Sequence, residues 1–423
     1  MPTPRREQRI AFIRRPQTRS LLAREHLAPR PLEQPDGPPL PELVIRSPSW
    51  HAHLFKKRLG AYPADARHGD LVRLVTGDGQ SLGIGYFNPR AEIAARILSR
   101  RDELLDANWW NSRLQQAIDL RQKQLQLDAH TDAYRVIHAE GDRLPGVVVD
   151  RYGDVLVAEV FTLGMFQRST ALLQQLSRQM NVPHWIVRPG PNTASQEGFE
   201  GELLQSESPP RRVHVRENGV EFEVDLTGGH KTGFFCDQRN NRRRLAEWSR
   251  PGRLIDLCSY TGGFAISAAI RGVAEEVTAV DLDEHAVDVA RRNAQRNRVK
   301  VRCVHADAFA YMRDMLRGEK QYETVVLDPP KLIDGRDEIE TGRRKYFDFN
   351  RLAMQLVAPG GLFVTCSCSG LLSAEEFSKI VCSATPEGRQ LQILHRSGAG
   401  ADHPVAGDCP ETEYLKALWV RVL

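Results

Sequence analysis

From Glu42 to about Arg100, apolar and polar positions alternate in short runs: LVIRS, DLVRLVT, LGIGYF and IAARIL. GDG, NPR and similar turn signals part them. Period-two alternation between turn residues predicts strands, and strands this short predict a small β-barrel-type module. The basic run Lys56, Lys57, Arg58 falls between the first strand and the next, where it can face phosphate. From about Leu104 to Gln126 apolar residues recur every three or four positions, which predicts a helix. YRVIHAEG, GVVVDRYGD and VLVAEVF then read as strands, MFQRSTALLQQLSRQM as an amphipathic helix and HWIVRP as another strand. Together they describe an α+β middle domain. VHVRENGVEFEVDL predicts a hairpin, with Asn218-Gly219 supplying the turn.

After Gly228 strand and helix alternate regularly. RLIDLCS, VTAVDLD, VRCVHAD, TVVLDPP and GLFVTCS are apolar runs, and helical stretches separate the first four. Buried strands alternating with helices predict a parallel sheet covered on both faces, an α/β fold. The expected division is a tail over 1–40, the β-module over 41–103, the middle domain over 104–227 and the α/β domain over 228–423.

The tail holds eight arginines, four acids and no sustained hydrophobic period, with nine prolines between Pro2 and Pro41. It is expected to be disordered: an RNA contact, a solvated extension or, less well matched, a transit peptide. Without it the basic and acidic residues balance, so any nucleic-acid contact must come from local patches. No apolar stretch is long enough for a membrane span, and no apolar signal segment follows the start. Seven cysteines without a disulfide-like framework suit a reducing, cytoplasmic setting.

The first α/β strand ends at Asp256 and runs into CSYTGGFAISAA. Tyr260, Thr261, Gly262, Gly263 and Phe264 form its loop, where the two glycines let the backbone approach a ligand. Neither GxGxxG nor GxxxxGK is present, so the ligand has no pyrophosphate to cradle. Asp281 follows the second strand, placed to accept from a ribose. Asp307 follows the third, placed to accept from an adenine amino group. This set fits S-adenosylmethionine, although each acid taken singly also fits a helix N-cap.

Two later strand ends carry the chemistry: VVLDPPK with Asp328 and Lys331, and TCSCSG with Cys366 and Cys368. A pyrimidine is too weak a nucleophile at carbon 5 to take a methyl group unaided. A thiolate adding to carbon 6 makes carbon 5 enamine-like. A carboxyl near ring nitrogen 3 assists the addition, and a base must later remove the carbon 5 proton. Cys366 is expected to be the nucleophile and Asp328 to contact the base edge. Lys331 could hold a phosphate or lower the thiol pKa, and Cys368 could assist elimination. The bland reading is a buried packing cysteine. No Cys/His cluster of ligand spacing adjoins the pair, so no metal is expected.

DLCSYTGGF, VVLDPPK, TCSCSG, HKTGFFCDQRNNR and EGDRLPGVVVDRYGD together resemble the bacterial large-subunit ribosomal RNA cytosine-5 methyltransferase family over roughly residues 42–423. The resemblance implies a Rossmann-like class I methyltransferase domain, with the N-terminal strands as an RNA-binding PUA domain. It also implies S-adenosylmethionine as cofactor, carbon 5 of a 23S rRNA cytidine as target and Cys366 as the attacking thiol. The partner is then 23S rRNA or a large-subunit assembly intermediate, with no membrane and a possible homodimer. Gln238 and Arg239, in the DQR motif, are expected near cofactor or target. Cys258 stands where relatives often have phenylalanine, and Lys331 where other RNA cytosine-5 methyltransferases carry a cysteine. Arg239, Arg242, Arg243 and Arg244, and Arg343, Arg344 and Lys345, form two clusters that either line an RNA-facing rim or are solvated surface. Methylation of another RNA position, such as a guanine nitrogen, and a non-catalytic RNA-binding or ribosome-assembly role are the competing readings.

Overall fold

The computed structural model describes residues 20–34, 39–62, 64, 66–227, 232–271 and 274–423. His230 and Lys231 of the HKTGFFCDQRNNR motif, and residues 1–19 of the tail, lie outside them. Residues 20–34 correct the expectation of a loose tail. Leu32 is 2% exposed inside the middle-domain core, and the backbone hydrogen-bonds from Leu22 to Gly198, Arg30 to Gln167 and Gln34 to Leu105. The segment's few apolar residues, Leu22, Leu27 and Leu32, do this work, and they are too sparse to show as a period.

The N-terminal module is a five-stranded sheet in the spatial order Glu42–Val44, Asp70–Val75, Ser81–Phe87, Ile93–Ser99, His53–Phe55. Its alternating apolar residues bury one face around Leu43, Val72, Leu74 and Phe87. A Cβ at Gly83 would meet the Ser99 carbonyl at 2.0 Å, so only glycine allows these strands to approach. The middle domain holds a second five-stranded sheet. Its strands Val155–Val160 and His184–Pro189 run parallel across the helix Ser169–Met180. The hairpin Arg212–Glu217/Val220–Asp225 turns on Asn218 and Gly219, both at positive φ (51° and 83°). It buries Val215, Phe222 and Val224 against Tyr152 and Val157 of the middle sheet and Ile266 and Ala294 of the following domain.

The last domain is built on seven strands: Gly252–Leu257, Ala274–Asp281, Arg302–His305, Tyr322–Leu327, Val357–Ser367, Leu391–Ser397 and Lys416–Val422. In space they run third, second, first, fourth, fifth, seventh, sixth, and the seventh runs antiparallel to the fifth and sixth on either side of it. Because strand side chains alternate, Leu254, Val326 and Val364 pack with Leu245 and Phe264 on one face. Ile255, Val325 and Phe363 pack with Met312, Tyr346 and Phe377 on the other. The first five strands are parallel, so their carboxyl ends open on one edge, where sheets of this kind bind ligands. Among the described residues no helix is long and apolar enough to cross a membrane.

Candidate active site

A cavity of about 670 Å³ opens at those strand ends. The loop after the first strand reverses sharply, with Cys258, Tyr260 and Gly262 all at positive φ. This brings the Tyr260 N–H to Asp281 Oδ2 at 2.7 Å, while the Tyr260 hydroxyl donates to the Gly233 carbonyl at 3.1 Å. A Cβ at Gly263 would come within 2.9 Å of Arg242 Cδ, so the helix Gly263–Arg271 starts only where a glycine permits it.

The acids divide by role. Asp281 lines the cavity and also accepts from the Asp283 N–H at 2.9 Å. Each of its oxygens keeps a second lone pair for a ligand. Asp307 lines the cavity and caps the helix Ala308–Arg317 through the Ala310 N–H at 2.8 Å, so cap and site coexist in one residue. Asp256, expected to touch the cofactor, does not line the cavity. It is fully buried and accepts from the Ala265 N–H at 3.0 Å, and burial pushes its pKa far above the carboxylate range. Its place is to tie the first strand to the helix after the glycine loop. Cys258 packs against the sheet core and also lines the cavity.

The opposite wall comes from the fourth and fifth strand ends and from Phe234–Gln238. Asp328 accepts from Gln238 Nε2 at 3.0 Å. Gln238 Oε1 accepts from Asn241 at 2.6 Å, and the Gln238 side chain lies near enough to the Cys366 thiol to favour its thiolate. Cys366 is 0% exposed, and burial, with the charge of Asp328 added, pushes its pKa well above the thiol range. Cys368, on the turn beyond the strand, is only partly buried and lines the cavity. Behind it the buried Lys416 ammonium donates to the carbonyls of Ser369 (2.6 Å) and Tyr414 (2.8 Å). Burial lowers the Lys416 pKa to about 8 against the opposing pull of Cys368. Lys331 reaches the cavity mouth half-exposed, 3.2 Å from Asp334.

Two expectations fail on burial. Arg239 is away from the cavity, held in a bidentate pair with Asp402 at 2.6 and 3.0 Å. Arg242 does line the cavity, but it lies under Gly263 in a buried bidentate pair with Glu217 at 2.7 and 2.6 Å and so is no exposed rim cation. The first arginine cluster is therefore half structural. Arg243 alone of its members is fully exposed, and it pairs with Glu247. In the second cluster Arg343 pairs with Glu340 and Glu376, and Arg344 and Lys345 are exposed. The sequence reading missed Phe234, Phe235, Asp237, Phe349 and Leu415 as cavity lining. The Phe-Phe pair just before the DQR motif was a usable signal. Phe349 and Leu415 carried none.

An S-adenosylmethionine-dependent methyltransferase family matches residues 135–420, and a PUA-like domain matches residues 49–100. A ribosomal RNA large subunit methyltransferase I from Tolumonas auensis is 36% identical over 384 residues, covering 88% of this chain and 96% of the relative. The protein of that name from Aeromonas salmonicida is 35% identical over 381 residues, covering 88% and 95%. A putative S-adenosylmethionine-dependent methyltransferase from Streptococcus mutans has the same fold, with a TM-score of 0.75 at 21% identity and coverage of 90% and 99%. The chain belongs to the ribosomal RNA large subunit methyltransferase I family. It is an enzyme with a class I methyltransferase domain behind a PUA-like module, and S-adenosylmethionine is its cofactor.

Proposed function

We propose that this family member methylates carbon 5 of a cytidine in 23S rRNA, through a covalent adduct between the base and Cys366. Asp281 and Asp307 would hold the cofactor, and its sulfonium supplies the methyl group. The observation that carries the reading is Gln238. Its side-chain amide donates to Asp328 at 3.0 Å and lies beside the buried Cys366 thiol, whose thiolate it favours. A cytosine edge offers the same kind of amide-like donors and acceptors, so an entering base replaces Gln238 on Asp328 and uncovers the thiol. The base must leave its stack to get there.

Asp328 takes the Cys366 proton and delivers it to ring nitrogen 3 as sulfur bonds to carbon 6. Carbon 5 then takes the methyl group. Cys368, as a thiolate beside the Lys416 ammonium, removes the carbon 5 proton. The carbon–sulfur bond breaks, nitrogen 3 returns its proton and the cytosine ring is restored. Lys331 at the mouth meets phosphate. The substrate is free 23S rRNA or an assembling large subunit in the cytoplasm.

The test is adduct trapping with 5-fluorocytosine-containing RNA, read by denaturing gel and peptide mass spectrometry. The adduct maps to Cys366, Cys366→Ala abolishes both adduct and turnover, and Cys368→Ala still forms the adduct. A second reading rests on exposure, since Cys368 and not Cys366 lines the cavity. An adduct on Cys368 would establish that reading in place of the first.

A further inference from the structure

Outside the cavity lining, the N-terminal module meets the C-terminal loop at a cluster of metal-binding side chains. One ligand atom from each of His51, His53 and Cys409 lies within 4.8 Å of the other two. Glu411 adjoins the group, with its Oε2 3.0 Å from His51 Nε2 and 3.6 Å from Cys409 Sγ. Cys409 Sγ is 3.8 Å from His53 Nε2. Tetrahedral zinc, with bonds of about 2.0–2.3 Å, sets its ligand atoms about 3.3–3.8 Å apart. Two imidazoles, a thiolate and a carboxylate suit a borderline-soft divalent ion.

We propose that His51, His53, Cys409 and Glu411 bind one zinc ion, which fastens the N-terminal module to the C-terminal loop. The two imidazoles stand next to the strand His53–Phe55, while the thiol and carboxylate lie some 356 residues later in the chain. Glu140, 2.8 Å from His53 and 3.2 Å from Arg96, adds a second carboxylate beside Glu411 at the cluster. Coordination replaces the contacts of His53 Nε2 with Glu140 and with Arg96 Nη1, each 2.8 Å, and Glu140 keeps Arg96. The His51 proton moves to Nδ1, which now accepts from the His53 N–H at 2.9 Å and then gives up that contact.

The experiment uses full-length, untagged protein stripped with a chelator, with Zn²⁺ titrated in competition with a chromophoric chelator and Co²⁺ added in parallel. The expected result is one ion per chain, a thiolate-to-cobalt charge-transfer band and a raised melting temperature. Cys409→Ser removes the band, and His51→Ala lowers Zn²⁺ affinity by at least about tenfold. His51 is partly exposed, so its variant decides the matter if Cys409→Ser fails to fold. Lack of a stoichiometric ion, or binding that survives both substitutions and disappears in a Cys366→Ala/Cys368→Ala variant, overturns the site. Neither outcome bears on the cytidine reading, which adduct trapping decides separately.

Discussion

The two walls of the cavity are held in different ways. On the cofactor side, Asp281 and Asp307 are fixed by backbone N–H groups: those of Tyr260 and Asp283 for the first, that of Ala310 for the second. On the target side, Asp328 is held by Gln238, Asp237 by Tyr414 and the Ser369 carbonyl by Lys416, partners 90, 177 and 47 residues apart. That second wall leans on a buried seam between the middle domain and the loop around Asp402. Arg121 donates to the Asp402 carbonyl at 2.6 Å, while the Asp402 carboxylate accepts from the Arg135 N–H and pairs with Arg239. One wall is held by backbone N–H groups and the other by side chains from distant parts of the chain, so the two should fail separately.

Asp402→Ala should break the comparison hardest. Burial alone would raise the Asp402 pKa, but His403 and Arg239 hold it well below the usual range. Removing the carboxylate strands a buried guanidinium, at a cost of about 3–5 kcal/mol. Urea unfolding should show that loss. Below the transition, methyl transfer should fall while calorimetric S-adenosylmethionine affinity stays near wild type. Equal losses of both would show that the walls are one unit. Asp281→Ala is the converse and smaller: it frees two N–H groups and removes the proposed ribose partner, about 1–3 kcal/mol. Cofactor affinity should drop roughly ten- to a hundredfold, with global stability and RNA adduct formation by Cys366 much less affected.

This division also sets what the sequence disclosed. The strand-end acids and the glycine loop are legible because their partners are backbone N–H groups, available whatever the partner's residue type, and because their own backbone needs are specific to residue type. Asn218-Gly219 announces its hairpin for the same reason. Arg239 and Asp256 misled because burial is a tertiary property: a short-range motif places both near the cavity but does not say which way the side chain faces. Cys366 and Cys368 share a motif, yet one is sealed and the other open, which two letters on a turn do not encode. The His51, His53, Cys409 and Glu411 cluster was illegible for a plainer reason. Its members are ordinary until folding joins chain ends some 356 residues apart.

The gentlest separation of the two walls uses acid. His138 sits in the seam, 5% exposed, with Nε2 3.1 Å from the Thr412 carbonyl and Nδ1 3.0 Å from Arg135 Nη1. A neutral ring satisfies both, donating to the carbonyl and accepting from the guanidinium. A second proton would point at Arg135. Burial, with the charges of Arg135 and His403, accordingly lowers its pKa to about 3. The unfolded chain takes up this proton below about pH 6.5 and the folded chain does not. The unfolded state therefore binds more protons, and stability rises with pH across the interval. His138 costs nothing above about pH 6.5, and stability is lost as pH falls from there toward 3, at up to about 1.4 kcal/mol per pH unit. Glu140, lowered to about 2, adds its own loss only below about pH 4.3, its unfolded pKa. Between pH 6.5 and 4.5 the His138 contribution is thus read as the difference between wild type and His138→Gln. The urea midpoint of wild type should drop more steeply than that of the variant, and methyl transfer should follow it. S-adenosylmethionine affinity should depend on pH equally in both proteins. A variant whose stability falls as steeply as wild type would mean that the ring is already protonated in the fold, and the seam would lose its claim to a separate acid sensitivity.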